Sequence, residues 1–169
     1  MSPHTYFTTL ARYNAWATRR LLDAVAAVSD EAYRRDVGLF FKSIHGTLNH
    51  LLVAELMLWQ RRFGEGVSPK LALDAEAEPD RQRLAERLLE GVTGWQPLID
   101  SWPAERFEGV LSYTTMRGEP ASLPFALTLA HVFNHSTHHR GQITAVLTAL
   151  GQAGPELDLV YMLQAEAKA

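Results

Sequence analysis

The sequence predicts an all-α protein: an antiparallel four-helix bundle with a short hairpin or extended insertion before the fourth helix. Apolar residues recur at spacings of three and four along four long stretches, which is the pattern of amphipathic helices. Only residues 107–120 are rich instead in β-forming residues followed by a turn signal. The length of 169 residues and a hydrophobic content of 47% suit one domain, and we expect it to span residues 1–169.

The first helix is predicted to begin at Ser2-Pro3, a capping hydroxyl followed by a proline in the first turn. Its apolar stripe continues to about Val28. Trp16 is expected at the edge of this stripe, either closing one end of a pocket or packing in the core or an interface.

The second helix is predicted to run from Ser43 to about Phe63, and its apolar residues cover more than one face. It carries His50 near its middle. His45, five residues earlier, is expected to point elsewhere or to line the mouth of a site. We interpret Glu55 as a surface or interface charge.

The segment from Ser68 to Pro79 is predicted to be an exposed acidic loop. The third helix is expected to be capped by Asp80 and to kink or end near Pro97. After the β-rich insertion, Ser122 is the predicted cap of the fourth helix, which ends near Gly151. A short final helix is expected within residues 155–164.

The fourth helix carries four of the seven histidines within nine residues. Residues four apart lie on the same face of a helix, so His131, His135 and His139 form a ladder that Gln142 continues, with His138 at its edge. Two histidines at this spacing can chelate one divalent ion if a third ligand comes from elsewhere. His50 is the natural third ligand. Three neutral imidazoles leave a coordination position open, which is typical of catalytic metal sites.

Other site types fit these residues less well. A ferritin-like di-iron site needs glutamates, and no acidic residue lies between Glu119 and Glu156. A zincin motif needs a glutamate where Ser136 stands, and Ser136 also lacks the nucleophile elbow of a serine hydrolase. The remaining alternative is a polar ladder bonded to hydroxyls such as that of Tyr13, which would leave several buried imidazoles in need of partners.

Composition excludes several functional classes. The net charge of −3 comes without a Lys/Arg cluster, which argues against nucleic-acid binding. The longest apolar stretch, from Leu51 to Trp59, is too short to cross a membrane and contains a glutamate. The absence of cysteine excludes disulfides and thiolate ligands. Because no signal peptide is recognisable, we expect a cytoplasmic protein.

The run from Asn134 to Gln142 resembles the signature of the DinB/YfiT-like family of metalloenzymes. Two further segments match that family: residues 43–50, which lead to Glu55 and Trp59, and residues 13–16. The resemblance implies a four-helix bundle, often dimeric, with one divalent metal ion bound by three histidines. By position these ligands are His50, His135 and His139, and we therefore expect a homodimer with one transition metal ion, zinc or nickel first and iron next.

The resemblance also implies an activity. Characterised members include thiol-dependent S-transferases and a mycothiol-dependent isomerase, in which the metal activates a low-molecular-weight thiol. We therefore expect a metal-dependent transferase or hydrolase acting on a small electrophile. The alternative is a non-catalytic, metal-binding protein of the stress response, in which the ion stabilises the bundle or dimer. Residues expected to support the ligands or orient the substrate are His131, His138, Gln142, Arg140 and Trp16; for Arg140, helix packing or a dimer contact is the competing interpretation.

Overall fold

The computed structural model describes residues 1–168. It is mainly helical, with one antiparallel two-stranded sheet among these residues, and so confirms the predicted bundle with a hairpin insertion before the long fourth helix. The elements are α1 (Pro3–Ala26), α2 (Asp30–Arg34), α3 (Ile44–Leu51), a π-helical segment (Leu52–Gln60), α4 (Arg61–Glu65), α5 (Arg81–Thr93), α6 (Trp95–Asp100), a 3₁₀ turn (Ala104–Glu108), β1 (Val110–Thr114), β2 (Pro120–Pro124), α7 (Phe125–Ala149) and α8 (Leu159–Glu166).

Three of the predicted helix starts are confirmed by their caps. The side-chain oxygens of Ser2, Ser43 and Asp80 accept hydrogen bonds from backbone N–H groups in the first turn of α1, α3 and α5. Each cap satisfies one of the donors that the start of a helix leaves free.

The prediction that Ser122 caps the fourth helix is wrong. Ser122 lies in β2, directly opposite Ser112 of β1, and the two hydroxyls are 3.4 Å apart. The hairpin continues to Pro124, and α7 begins at the next residue. The N–H of Phe125 bonds to the carbonyl of Gly109, so the strand leads straight into the helix.

The second predicted helix is continuous from Ile44 to Glu65, but its middle is π-helical. A π-helix bonds each residue to the fifth one along instead of the fourth, and such segments often occur at functional sites. The third helix breaks at Gly94, three residues before Pro97. Pro97 then lies in the first turn of α6, where its missing N–H needs no partner.

The core lies between these helices and is rich in aromatic residues. Trp95 and Phe125 are fully buried in it and surround Phe63. The helix from Ile44 packs against α7 beside this core, and that contact brings the histidines of the two helices together. None of the helices in residues 1–168 is both long enough and apolar enough to span a membrane.

Candidate metal centre

Three histidines meet where α3 packs against α7. The Nε2 atom of His135 lies 3.2 Å from that of His50 and 3.1 Å from that of His139. One nitrogen from each residue falls within 4.8 Å of the other two. The structure therefore brings together the three residues that the sequence analysis selected as metal ligands, and we refer to them as the three-histidine cluster.

Hydrogen bonds from the outer nitrogens of His50 and His139 fix where the imidazole protons lie. His50 Nδ1 is 2.8 Å from the carbonyl oxygen of Leu73, which can only accept, so this nitrogen carries the proton. His139 Nδ1 donates in the same way to Oε1 of Gln142 at 2.8 Å. Both Nε2 atoms are then unprotonated and direct their lone pairs inward. Such bonds from the outer nitrogen are usual for metal-binding histidines.

This arrangement suits a cation. Lone pairs that face one another at about 3 Å repel unless something positive lies between them. A proton on His135 Nε2 can satisfy one of its two neighbours, His50 or His139, whereas a divalent ion can bind all three nitrogens. The residues present therefore fit a metal ion.

Burial keeps the cluster neutral. It lowers the pKa of His135 to about 3, and the neighbouring imidazole of His139 adds to the effect. Burial also lowers the pKa of His139 to about 4, although the hydrogen bond that His139 donates to Gln142 opposes this effect. Burial lowers the pKa of His50 as well. Metal binding needs deprotonated imidazoles, and His135 and His139 remain deprotonated well below neutral pH.

Phe41 forms one wall of the cluster. Its ring stacks on His50 with centroids 3.7 Å apart and meets the ring of His139 edge-on at 5.6 Å. Phe41 lies in the loop before α3. Because Gly46 has no side chain, the backbone of Phe41 can approach the first turn of α3 closely. A Cβ atom at Gly46 would overlap the carbonyl oxygen of Phe41.

The interpretation of Glu55 as a surface charge is wrong. Its side chain is only 3% exposed and accepts hydrogen bonds from Asn14, Trp95 and Ser136, which come from three other parts of the bundle. Burial raises the pKa of Glu55, while these donors and the positive charge of Arg140 oppose that effect. Glu55 thus connects the helix of His50 to the residue that follows His135.

Arg140 lies inside the bundle, which is the position that the packing interpretation of the sequence analysis expects. It is 2% exposed, donates to Oδ1 of Asn14 and Oγ1 of Thr137, and lies over the ring of Tyr13 at 5.3 Å. Its Nε has no hydrogen-bond partner in residues 1–168. Arg140 joins α7 to α1 behind the three-histidine cluster.

The other predicted supporting residues have different positions. Gln142 contacts His139 directly, as described above. His131 and His138 are exposed, and within the described chain they touch the cluster through ring contacts to His135 and His139, without hydrogen bonds. Trp16 does not close a pocket at the cluster; it packs in a separate apolar group beside α8.

Two further expectations are corrected. The polar-ladder alternative placed the histidines against hydroxyls such as that of Tyr13, yet Tyr13 donates to the carbonyl of Leu157 at 2.8 Å. The acidic segment is not a purely exposed loop. Glu76 bonds to the buried His45 at 2.6 Å, Glu78 is itself buried, and the carbonyl of Leu73 holds His50. A backbone acceptor leaves no mark in the sequence, so the contact of Leu73 could not have been found there.

A cleft of about 610 Å³ lies beside Phe41. Lys42, His45 and Asp74 line it together with Phe41. The cleft is large enough for a small molecule. Phe41 is therefore common to this cleft and to the three-histidine cluster.

Comparisons with known proteins agree with this fold. Protein DinB of Bacillus subtilis is 26% identical over 161 residues, which cover 88% of each chain. A DinB-like protein from Bacillus cereus has a solved structure with a TM-score of 0.64 at 18% identity, covering 86% of this chain and 91% of that one. YfiT from Bacillus subtilis, described as a probable metal-dependent hydrolase with an unusual four-helix bundle topology, gives a TM-score of 0.66 at 17% identity, covering 85% and 87%.

At these identities the two solved structures establish the fold alone. The sequence profile of the DinB family matches residues 1–168, so nearly the entire length of the chain, including all three clustered histidines, lies within the match. The protein therefore belongs to the DinB family.

Proposed function

We propose that this protein is a metal-dependent enzyme in which His50, His135 and His139 hold one divalent transition metal ion. The observation that carries the proposal is the convergence of the three Nε2 atoms. In His50 and His139 the other ring nitrogen, Nδ1, donates to an acceptor, so that Nε2 is free to bind an ion. Three neutral imidazoles suit zinc, nickel or iron(II), and affinity alone does not choose among them.

Three protein ligands leave room for a small molecule. A metal ion in such a site lowers the pKa of a bound water or thiol or polarises a carbonyl group. The residues around it have simpler tasks: Gln142 and the carbonyl of Leu73 orient the imidazoles, and Phe41 shields one side.

The reaction class is a transfer or hydrolysis on a small electrophile. Because the chain has no cysteine, any thiol must arrive as a low-molecular-weight cosubstrate. The description of YfiT as a probable metal-dependent hydrolase supports water as the second possible nucleophile.

One observation favours a second function, that of a non-catalytic metal-binding protein. His50 comes from α3 and the other two ligands come from α7, so a bound ion would cross-link two helices of the bundle. Binding to the folded state alone would raise its stability. A protein of the stress response could use the ion in this way.

Elemental analysis tests the metal site. We would compare untagged parent protein, purified without chelator, with His135→Ala and with His138→Ala, which removes an exposed histidine three residues away. We expect about one equivalent of a transition metal in the parent and in His138→Ala, and little in His135→Ala. No bound metal in the parent, even after incubation with zinc, nickel and iron(II), would contradict the proposal.

A second measurement separates the enzyme from the structural alternative. Metal-loaded parent protein would be assayed with a panel of thiols and electrophiles and, in parallel, with ester and amide substrates. Turnover that disappears in His135→Ala supports the enzyme. A large rise in melting temperature on metal binding, with no turnover of any substrate, supports the alternative.

A further inference from the structure

Three side chains form an aromatic wall that begins beside the three-histidine cluster. They are Trp59, Tyr113 and His131, and we call them the aromatic wall. The ring centroid of His131 lies 5.6 Å from that of His135, and the ring of Trp59 lies 5.6 Å further along. Tyr113 follows at 5.9 Å from Trp59. The wall therefore starts one ring away from the candidate metal ligand His135, and Phe41 lies against the other two ligands.

The three residues of the aromatic wall are accessible to solvent and are held in place. His131 is exposed, while Trp59 and Tyr113 are half-buried. Arg62 packs against both of these rings, with its guanidinium carbon 4.5 Å from the centroid of Trp59 and 4.2 Å from that of Tyr113. Arg62 is 7% exposed and donates from Nε to the hydroxyl of Ser68 at 2.8 Å. A surface that is ordered before binding loses little entropy when a ligand docks.

Arg62 also sets the charge that this wall tolerates. Within residues 1–168 it forms no ion pair, so its positive charge is not neutralised by a carboxylate. The guanidinium group of Arg62 already makes cation–π contacts with Trp59 and Tyr113. A second cation placed on these rings would meet repulsion, whereas a neutral or anionic ring would not.

We propose that the aromatic wall binds a neutral or anionic aromatic group of the substrate, next to the atom that reacts at the three-histidine cluster. This inference rests on the proposed function, because it needs an ion with an open position at the cluster. It adds the substrate class: an electrophile that carries an aromatic ring close to its reacting atom.

Two hydroxamates provide the test. Acetohydroxamate and benzohydroxamate present the same metal-binding oxygens and differ in that only the second carries a ring. Their affinities for zinc-loaded protein would be measured by calorimetry, with zinc content and melting temperature determined for every variant. We expect the parent to bind benzohydroxamate about tenfold more tightly, the size of one favourable aromatic contact.

The variants locate that preference. Trp59→Leu and His131→Ala should each lower the ratio of the two affinities severalfold and leave acetohydroxamate binding unchanged. His131 is exposed, so its removal does not disturb the core. Trp16→Leu is the matched control, because Trp16 lies in the separate group beside α8, and it should keep the parental ratio. A trimethylammonium group at the para position of benzohydroxamate should weaken binding to the parent.

Each contrary result has one meaning. Equal affinities of the parent for the two hydroxamates, or a ratio retained in both wall variants, would overturn the inference while the metal site stands. Zinc-loaded parent that binds neither hydroxamate would overturn the open coordination position, and with it both the proposed enzyme and this inference.

Discussion

The hydroxyl group of Ser136 donates a hydrogen bond to Oε2 of Glu55, a carboxylate from the facing helix. Ser136 directly follows His135, and Glu55 lies five residues after His50. The other oxygen of Glu55 accepts from Asn14 and Trp95, and Asn14 in turn accepts from Arg140, which follows His139. The candidate ligands are thus backed by one buried polar network, which fixes how α7 is rotated toward α3.

Replacement of Glu55 by glutamine should lower the free energy of unfolding by about 3 kcal/mol, because Arg140 then keeps its buried charge without a compensating carboxylate. The amide also places donors where the carboxylate accepted bonds. Urea unfolding measures the effect. Glu65→Gln, the same substitution at an exposed site on the same long helix, removes only a surface ion pair with Arg61 and should lower the free energy of unfolding by less than about 1 kcal/mol. Equal stabilities of the two variants would show that the network is not a stabilising one.

Metal binding should weaken as well in Glu55→Gln, because the rotation of α7 sets the directions of His135 and His139. The zinc affinity of the variant would be compared with that of the parent under conditions in which both are folded. An unchanged affinity together with lower stability would confine the role of the network to packing.

The histidine cluster could be predicted from sequence because its spacing is local. His135 and His139 are four residues apart on an uninterrupted α-helix, and the only remaining choice was the partner helix. Glu55 could not be placed in this way. Five residues from His50 correspond to about 140° on an α-helix. The π-helical segment from Leu52 changes that angle, and no residue type in the segment indicates it.

Some helix caps could likewise be predicted from the sequence, and one could not. Ser43 and Asp80 were predictable because a capping oxygen and the N–H it accepts lie within one turn. Ser122 had the same sequence signal, but pairing with β1 decided its position, and strand pairing is a tertiary effect. The burial of Glu78 likewise depends on Asn49, whose side chain accepts from the backbone N–H of Glu78 at 2.9 Å.

Gln142 should affect metal binding through the bond that it makes to His139 Nδ1. Loss of such an outer acceptor typically weakens metal affinity by about 10- to 100-fold. We expect this loss in Gln142→Leu and retention of affinity in Gln142→Glu, since a carboxylate still accepts from Nδ1. Competition with a chromophoric zinc chelator measures both. A parental affinity in Gln142→Leu would show that the amide does not support the ligand.

The metal-free protein should lose stability as the pH falls from about 6.5, the ordinary histidine pKa. In the folded state the pKa values of His135 and His139 are lowered to about 3 and about 4. Between these limits the unfolded chain binds more protons than the folded one, so acid favours unfolding. The contribution of His135 and His139 to stability is therefore fully present above about pH 6.5, the pKa in the unfolded chain. It is lost as the pH falls toward about 4 and about 3, their pKa values in the folded protein.

Urea unfolding of chelator-treated protein at several pH values between 7.5 and 4.5 tests this dependence. The double variant His135→Gln/His139→Gln should show a smaller decline than the parent. His138→Ala, which changes an exposed neighbour, should keep the parental slope. A parental slope in the double variant would assign the acid sensitivity to other groups.

Two glycines, one on each of the helices α3 and α7 that carry the three-histidine cluster, should respond in opposite ways to alanine. At Gly46 an added Cβ would overlap the carbonyl oxygen of Phe41, so the loop must move and Phe41 must shift away from His50. We expect Gly46→Ala to lower the free energy of unfolding by about 1–3 kcal/mol, the usual effect of overpacking. The shift of Phe41 should also move the NMR signals of the His50 ring, which now lies under an aromatic face.

Gly141→Ala is the matched substitution on an open helix face, because within residues 1–168 its Cβ would meet no atom closer than 4 Å apart from those of its chain neighbours and the adjoining helix backbone. In a monomer the variant should gain about 1 kcal/mol, since alanine favours the helix more than glycine does. A homodimer would give a different result. If a partner subunit packed on this face of α7, it would leave no space for the added methyl group, and the variant would lose stability. Unfolding measured together with sedimentation separates the two: a gain in stability with no change in mass places any dimer contact elsewhere, whereas a loss of stability accompanied by dissociation places it at Gly141.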